Sequence, residues 1–177
     1  MSNTPESSLE MLDKALEMEK KGKDFYEKAA VNCQNELGRE VFQTLKRDED
    51  VHIARIMDIY NNLTKGGQWS SEWKAKDFSH GDLTAFFSDL AHKHRNQTTA
   101  DASDIQALEI GIDFELGSVT FYEQRLAAAE DTLEREFIGR MVVEEKSHHN
   151  ILQDAKLYLT DPSSWFQEHE RGGLDGA

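Results

Sequence analysis

Apolar residues recur at alternating steps of three and four along most of this chain, the period of helices that bury one face. Leu9, Leu12, Leu16, Tyr26, Ala29 and Cys33 mark a first helix over 7–34. Leu37, Val41, Leu45, Ile56, Ile59 and Leu63 mark a second over 37–63, which the pair Gly66-Gly67 stops. A third helix is predicted over 104–129, with Ser103 as its cap, and a fourth over 133–159, ending before Asp161-Pro162. No proline lies between Pro5 and Pro162, so nothing in the sequence breaks these helices from within.

The stretch 66–103 has a different pattern. KGGQWSSEWKAKDFSHG reads as loop, with Trp69 and Trp73 as anchors for it or for a subunit contact. DLTAFFSDLAHKHRN then reads as a short helix with Leu83, Phe86, Phe87 and Leu90 facing inward. His92 and His94 are two apart and share no helix face, so they are read as surface histidines. After the fourth helix come Trp165 and Phe166, then a flexible tail over 167–177. Four long helices with one long middle connection predict an all-α, up-down-down-up four-helix bundle, a single domain over 1–177. The crossover between the second and third helices carries the short one.

Composition narrows the function. The chain's 177 residues are enough for one sizeable core. No run is long and apolar enough to span a membrane, and the N-terminal stretch has no apolar signal core, so a cytoplasmic protein is expected. A net charge of −14, from 20 basic and 34 acidic residues, argues against nucleic acid or an anionic membrane as partner. The single cysteine, Cys33, excludes an internal disulfide and any four-cysteine metal site within this chain. It is read as a small buried or half-buried helix residue.

The chain also repeats itself at an offset of 96. Glu19 falls on Glu115, Phe25 on Phe121, Tyr26 on Tyr122, Leu37 on Leu133, Arg39 on Arg135 and Glu40 on Glu136. At the same offset Glu49 falls on Glu145 and His52 on His148, so the chain holds two Glu-x-x-His pairs at equivalent places. One such pair in a Glu-rich sequence is weak evidence. Two, each with its histidine 33 residues beyond a matching glutamate, describe a duplicated helical hairpin.

The register places these residues inside the bundle. The second helix reads Val41, Leu45, Glu49, His52, Ile56, Ile59, Leu63, and the fourth reads Ile138, Met141, Glu145, His148, Leu152, Ala155, Leu159. The first reads Leu12, Leu16, Glu19, Gly22 or Lys23, Tyr26, Ala29, and the third Ile105, Leu108, Ile112, Glu115, Val119, Tyr122, Leu126. Every seam therefore carries one glutamate. Four carboxylates in a core are very costly unless they meet positive charge, and the seams carry no matching set of Lys or Arg. Metal ions resolve the conflict. Glu19, Glu49, His52, Glu115, Glu145 and His148 make the ligand set of a dinuclear carboxylate-bridged site, with Glu19 and Glu115 terminal and Glu49 and Glu145 bridging. Oxygen- and nitrogen-rich ligands suit iron or manganese, with zinc or cobalt also accommodated.

Tyr26 and Tyr122 follow Glu19 and Glu115 by seven residues on the same faces. They read either as phenols that hydrogen-bond a ligand carboxylate or as ordinary core aromatics. Gly22 leaves room either for a small oxidant or for a close helix contact. His149 is read as pointing outward, and Glu144 is left between the site and its edge.

EMEKKGKDFYEKAA, LGSVTFYEQ, the two Glu-x-x-His pairs and the ending YLTDPSSWF resemble the rubrerythrin-like branch of the ferritin-like superfamily, over roughly residues 9–168. The resemblance places metal-binding glutamates at Glu19, Glu49, Glu115 and Glu145, and histidines at His52 and His148. It implies two iron ions per chain, a cytoplasmic homodimer, and a peroxidase or oxidase that reduces hydrogen peroxide or dioxygen. The alternative is ferroxidase activity and iron handling, or a non-catalytic metal-binding bundle. Two departures stand out. The rubredoxin-like four-cysteine iron domain has no counterpart here, and Gly117 and Ser118 occupy the turn after Glu115 where the family has a further glutamate. Electrons must then come from an external donor, such as a rubredoxin-like protein or a reductase.

Overall fold

A computed structural model describes residues 5–96 and 100–171. Six α-helices follow in order: α1 (Pro5–Asn32), α2 (Glu36–Thr64), α3 (Leu83–Lys93), α4 (Ala102–Ala128), α5 (Thr132–Thr160) and α6 (Pro162–Arg171). A single 3-10 turn, Glu72–Ala75, interrupts the crossover ahead of α3. Helix α1 packs mainly on α2 and α4 mainly on α5, and the two hairpins meet through α2 against α5 and α1 against α4. This is the up-down-down-up bundle the periodicity predicts, with the short crossover helix in place. Among the described residues, no helix is long and apolar enough to cross a membrane.

The sequence repeat is built into the two hairpin turns. Asn35 caps α2 by accepting from Gly38 N, and its repeat partner Asp131 caps α5 by accepting from Leu133 N and Glu134 N. Arg39 then donates to the carbonyl of Cys33, and Arg135 to the carbonyl of Ala129, again at repeat-related positions. Each arginine satisfies a carbonyl left open where the preceding helix ends. The duplication thus extends to how the chain reverses direction.

Several expectations need correction. Asp101, not Ser103, caps α4: its carboxylate accepts from Ser103 N, and the helix begins at Ala102. Cys33 lies just beyond the end of α1, buried, and burial pushes its thiol up to about 12, with Asp104 adding to the effect. Residues 162–171 form α6, where a flexible tail was expected from 167. Pro162 starts this helix, Asp161 caps it through Ser164 N, and Trp165 and Phe166 are buried against the end of the bundle. The expected tail over 172–177 lies outside the described residues. His94 is buried rather than on the surface, because its Nε2 lies 2.9 Å from Glu40 Oε1, whereas His92 is exposed.

The core falls into two apolar clusters. One joins Leu12, Ala15, Ile56, Ile59, Tyr122, Phe137, Ile138 and Met141. The other joins Tyr26, Ala29, Leu37, Val41, Phe42, Leu45, Leu108, Leu152, Ala155 and Trp165. Each long helix contributes to both clusters, and the residues it inserts between them are polar: Glu19 on α1, Glu49 and His52 on α2, Glu115 on α4, Glu145 and His148 on α5. All six side chains are buried. A helix that interrupts a fully apolar stripe with charged groups at one level loses burial energy there, which marks that level for a ligand.

Candidate metal centre

The two Glu-x-x-His pairs place acid and imidazole one turn apart on one helix face. In the bundle, Glu49, His52, Glu145 and His148 meet, each offering one ligand atom within 4.8 Å of all the others. The two imidazole rings stack with centroids 5.3 Å apart. Glu19 and Glu115 approach from α1 and α4. Glu19 Oε2 lies 3.2 Å from His52 Nδ1, and Glu115 Oε1 lies 3.8 Å from His148 Nδ1. All six residues singled out from the sequence therefore converge, four in a tight group and two flanking it.

Both imidazoles point Nδ1 at the centre and Nε2 away. His52 Nε2 is 3.0 Å from Glu144 Oε2, and His148 Nε2 is 3.2 Å from Asp48 Oδ2. A carboxylate can only accept, so each Nε2 carries the proton it donates. With Nε2 protonated, the lone pair of a neutral ring is on Nδ1, facing the centre. Asp48 and Glu144 are themselves related by the repeat, and each serves the histidine of the other hairpin.

The tyrosines follow the same crossed arrangement. Tyr26 on α1 donates to Glu115 Oε1 on α4, and Tyr122 on α4 donates to Glu19 Oε1 on α1. Of the two readings open from the sequence, the structure favours phenols that hold carboxylates. Both phenols are pushed well above their usual range, chiefly by burial and then by the adjacent glutamates, so they stay protonated donors. Gly22 proves to be a close approach: a Cβ there would stand 2.7 Å from Phe114 Cε1 and 3.3 Å from Glu49 Oε1.

Do these residues fit a metal? The protein's own hydrogen bonds leave the centre incomplete. Among the described residues, and apart from two indole nitrogens, the buried side-chain polar atoms with no hydrogen-bond partner are both oxygens of Glu49, both of Glu145, Glu115 Oε2 and His148 Nδ1. Buried polar groups are normally satisfied, and here the unsatisfied ones are all ligand atoms pointing at one place. Meanwhile three carboxylate oxygens crowd His52 Nδ1, Glu145 Oε1 at 3.1 Å, Glu19 Oε2 at 3.2 Å and Glu49 Oε2 at 3.5 Å, and only that of Glu19 has hydrogen-bond geometry. Protons alone satisfy this set poorly. Divalent cations with oxygen and imidazole ligands satisfy it well.

The protonation pattern agrees. Burial, reinforced by Glu19, drives the Glu49 carboxyl well above its usual range, and burial reinforced by Glu145 does the same to Glu115. Burial opposes charge on His52 and His148 as well. For His52 it is outweighed by Glu145, Glu144 and Glu19, and for His148 by Asp48, Glu145 and Glu115, so both rings are raised well above the usual range. Glu145 is held below its usual range by both histidines despite burial. Without metal, the centre binds protons in its place.

The sequence left several contributors unassigned. Glu144 is buried, and burial that would raise its carboxyl is outweighed by His52, Arg140 and Arg55, which bring it down to about 2. Arg55 is fully buried, donating from Nη1 to Glu144 Oε2 at 2.6 Å and from Nε to Lys76 O at 2.8 Å. Phe78 of the crossover lies over both rings, 5.6 Å from His52 and 5.9 Å from His148. The repeat offset could have exposed Asp48, because it carries Asp48 onto Glu144. No sequence signal pointed to Arg55 or Phe78. Trp73 is buried with its ring 5.4 Å from Phe137, anchoring the crossover to α5.

The family model described as rubrerythrin matches residues 10–156, most of the chain and all of the centre. No curated protein and no solved structure matches it significantly.

Proposed function

Because the chain belongs to the rubrerythrin family, we propose that its buried centre binds two iron ions and reduces hydrogen peroxide or dioxygen with electrons from an external donor. The observation that carries this reading is the set of unpaired ligand atoms on Glu49, Glu115, Glu145 and His148, which converge with His52 and Glu19 on one buried point. Glu49, His52, Glu145 and His148 would hold the ions, with Glu19 and Glu115 as further carboxylate ligands from α1 and α4. When bound, a ferrous pair supplies the two electrons that, with two protons, convert peroxide to water.

The chain's own residues set the conditions for that chemistry. Asp48 and Glu144 fix each imidazole so that Nδ1 faces inward. Tyr26 and Tyr122 each hold one oxygen of Glu115 and Glu19; the other oxygen of Glu115 is unpaired, and that of Glu19 lies 3.2 Å from His52 Nδ1. Phe78 and the apolar clusters above and below exclude water, which strengthens every charge interaction inside. Electrons enter from outside this chain, since its one cysteine is buried and unpaired and offers no dithiol or four-cysteine iron site. A cytoplasmic homodimer is part of the reading, and light scattering tests the assembly.

Stopped-flow oxidation of the anaerobic, iron-loaded protein tests the function. Oxidation by peroxide much faster than that of free ferrous iron, with turnover once a reductant is added, is the expected result. Peroxide oxidation no faster than for free iron overturns the peroxidase reading. Uptake of iron far beyond two per chain into a large assembly would favour iron storage instead.

A further inference from the structure

The two halves of the centre are related by the repeat down to Asp48 and Glu144, yet the groups that hold these two carboxylates are not. On the His52 side, Glu144 is held by two guanidinium groups, Arg55 from α2 and Arg140 one turn earlier on α5. The repeat-related positions on the other side are Ile151 and Thr44, both buried and neither charged. Asp48 is therefore left without an arginine. In its place the crossover supplies His80, whose Nε2 lies 2.8 Å from Asp48 Oδ2, the same oxygen that receives His148 Nε2 at 3.2 Å.

His80 is itself fixed. Its ring stacks on Phe78 with centroids 5.1 Å apart and lies 5.9 Å from Phe86 of α3. Its Nδ1 is 3.0 Å from the carbonyl of Gly81, a glycine whose φ of +70° turns the chain into the start of α3. The Asp48 carboxylate thus links a histidine on the crossover to a histidine at the centre.

We infer that His80 is a positioning residue for the His148 half of the centre: it holds Asp48, which orients His148, and so makes one of the two metal positions depend on this crossover histidine. This rests on the dinuclear reading above. Asp48 lies one residue from Glu49 and faces the back of His148, so releasing it lets the ring turn Nδ1 away from the centre. On the His52 half, among the described residues, the groups that hold Glu144 come from α2 and α5; the crossover reaches those arginines through Lys76 O and Asp77 but sends no side chain to Glu144 itself. The two positions are accordingly unequal although their ligands match by sequence.

The test uses the full chain and cobalt(II), added anaerobically and followed by calorimetry and by the visible bands of bound cobalt. The wild type is expected to take up two ions. His80→Leu keeps apolar packing between Phe78 and Phe86 but removes the donor, and should weaken one position by about 10-fold, the lower end of the cost of losing a ligand's outer partner because His80 acts one step further out through Asp48, while the other holds. His80→Gln, with an amide nitrogen near the place of Nε2, should recover most of that loss. In the metal-free protein, the ¹⁵N signal of His148 Nε2 should move in His80→Leu while that of His52 does not. Two ions bound by His80→Leu as tightly as by the wild type, or equal loss at both positions, overturns the inference alone. A wild type that takes up no cobalt overturns the dinuclear reading and this inference with it.

Discussion

Tyr122 on α4 donates its buried phenol to Glu19 on α1, so a residue of the second hairpin holds a ligand of the first. Tyr26 returns the arrangement by donating to Glu115. The exchange ties the two hairpins together at the level where the apolar core is interrupted. A hydrogen bond to a buried carboxylate is worth about 1.5–3 kcal/mol, and removing the donor leaves the oxygen unsatisfied. Tyr122→Phe should therefore lower unfolding stability by about 1–3 kcal/mol. It should also weaken metal binding about tenfold, the lower end for outer partners. Urea denaturation and metal titration check the two effects, and the stoichiometry should stay at two.

The metal-free centre gives a pH dependence of definite sign. Glu49, Glu115, His52 and His148 all hold their protons more tightly when folded than at their usual values of 4.5 and 6.5. The folded chain then binds more protons than the unfolded one, and stability falls as pH rises. That contribution is present in full below the unfolded values and is lost as pH climbs through the raised ones. Asp48 and Glu144 act in the opposite sense, since their lowered values make stability fall on acidification below about pH 4–5. From about pH 6.5 upward the raised groups dominate. The Tm of the metal-free protein should fall over that interval. The metal-loaded protein should show a rising or level Tm, because its ligands bind deprotonated. Calorimetry of both forms across the same pH series decides this.

Glu49 illustrates the cost of the centre. Both its oxygens are buried and unpaired, and its charge is disfavoured by burial and by Glu19. Glu49→Gln keeps the shape and removes the charge. The metal-free variant should be more stable than the metal-free wild type at pH 8 by about 1–2 kcal/mol, the gain typical when a functional group is removed from a strained site. Metal stoichiometry should drop below two. Unfolding curves and metal analysis of the same preparations test both halves of the statement.

Gly22 brings α1 close against Phe114 of α4 and Glu49 of α2. A Cβ there would stand 2.7 Å from Phe114 and 3.3 Å from Glu49 Oε1. Gly22→Ala gains up to about 1 kcal/mol of helix propensity. It also overpacks the contact, at a cost of about 1–3 kcal/mol. The net expectation is lower stability and weaker metal binding, and Phe114→Leu in the same chain should relieve both. A double-mutant cycle measures the relief.

Much of this was legible in the sequence because the signals were periodic. The step of three and four defined the four long helices, and the offset of 96 singled out Glu19, Glu49, His52, Glu115, Glu145 and His148 as one set. What escaped was held by contacts that have no period. His80 and Phe78 reach the centre from a crossover whose path is set by Trp73 on Phe137 and by Arg55 on Lys76 O. Arg55 and His94 are polar residues that became buried because each found a carboxylate, Glu144 and Glu40, on a neighbouring or distant part of the chain. Helix α6 needed the apolar end of the bundle to receive Trp165 and Phe166, which ten residues of local sequence do not announce.

Anaerobic ferrous titration of the metal-free chain, with proton release recorded in weakly buffered solution, tests the central claim most directly. Saturation at two irons per chain, with protons displaced from the centre as the ions enter and uptake abolished in Glu49→Ala with Glu145→Ala, is the predicted result. Fewer than one iron per chain, or uptake that the double variant leaves unchanged, would contradict it.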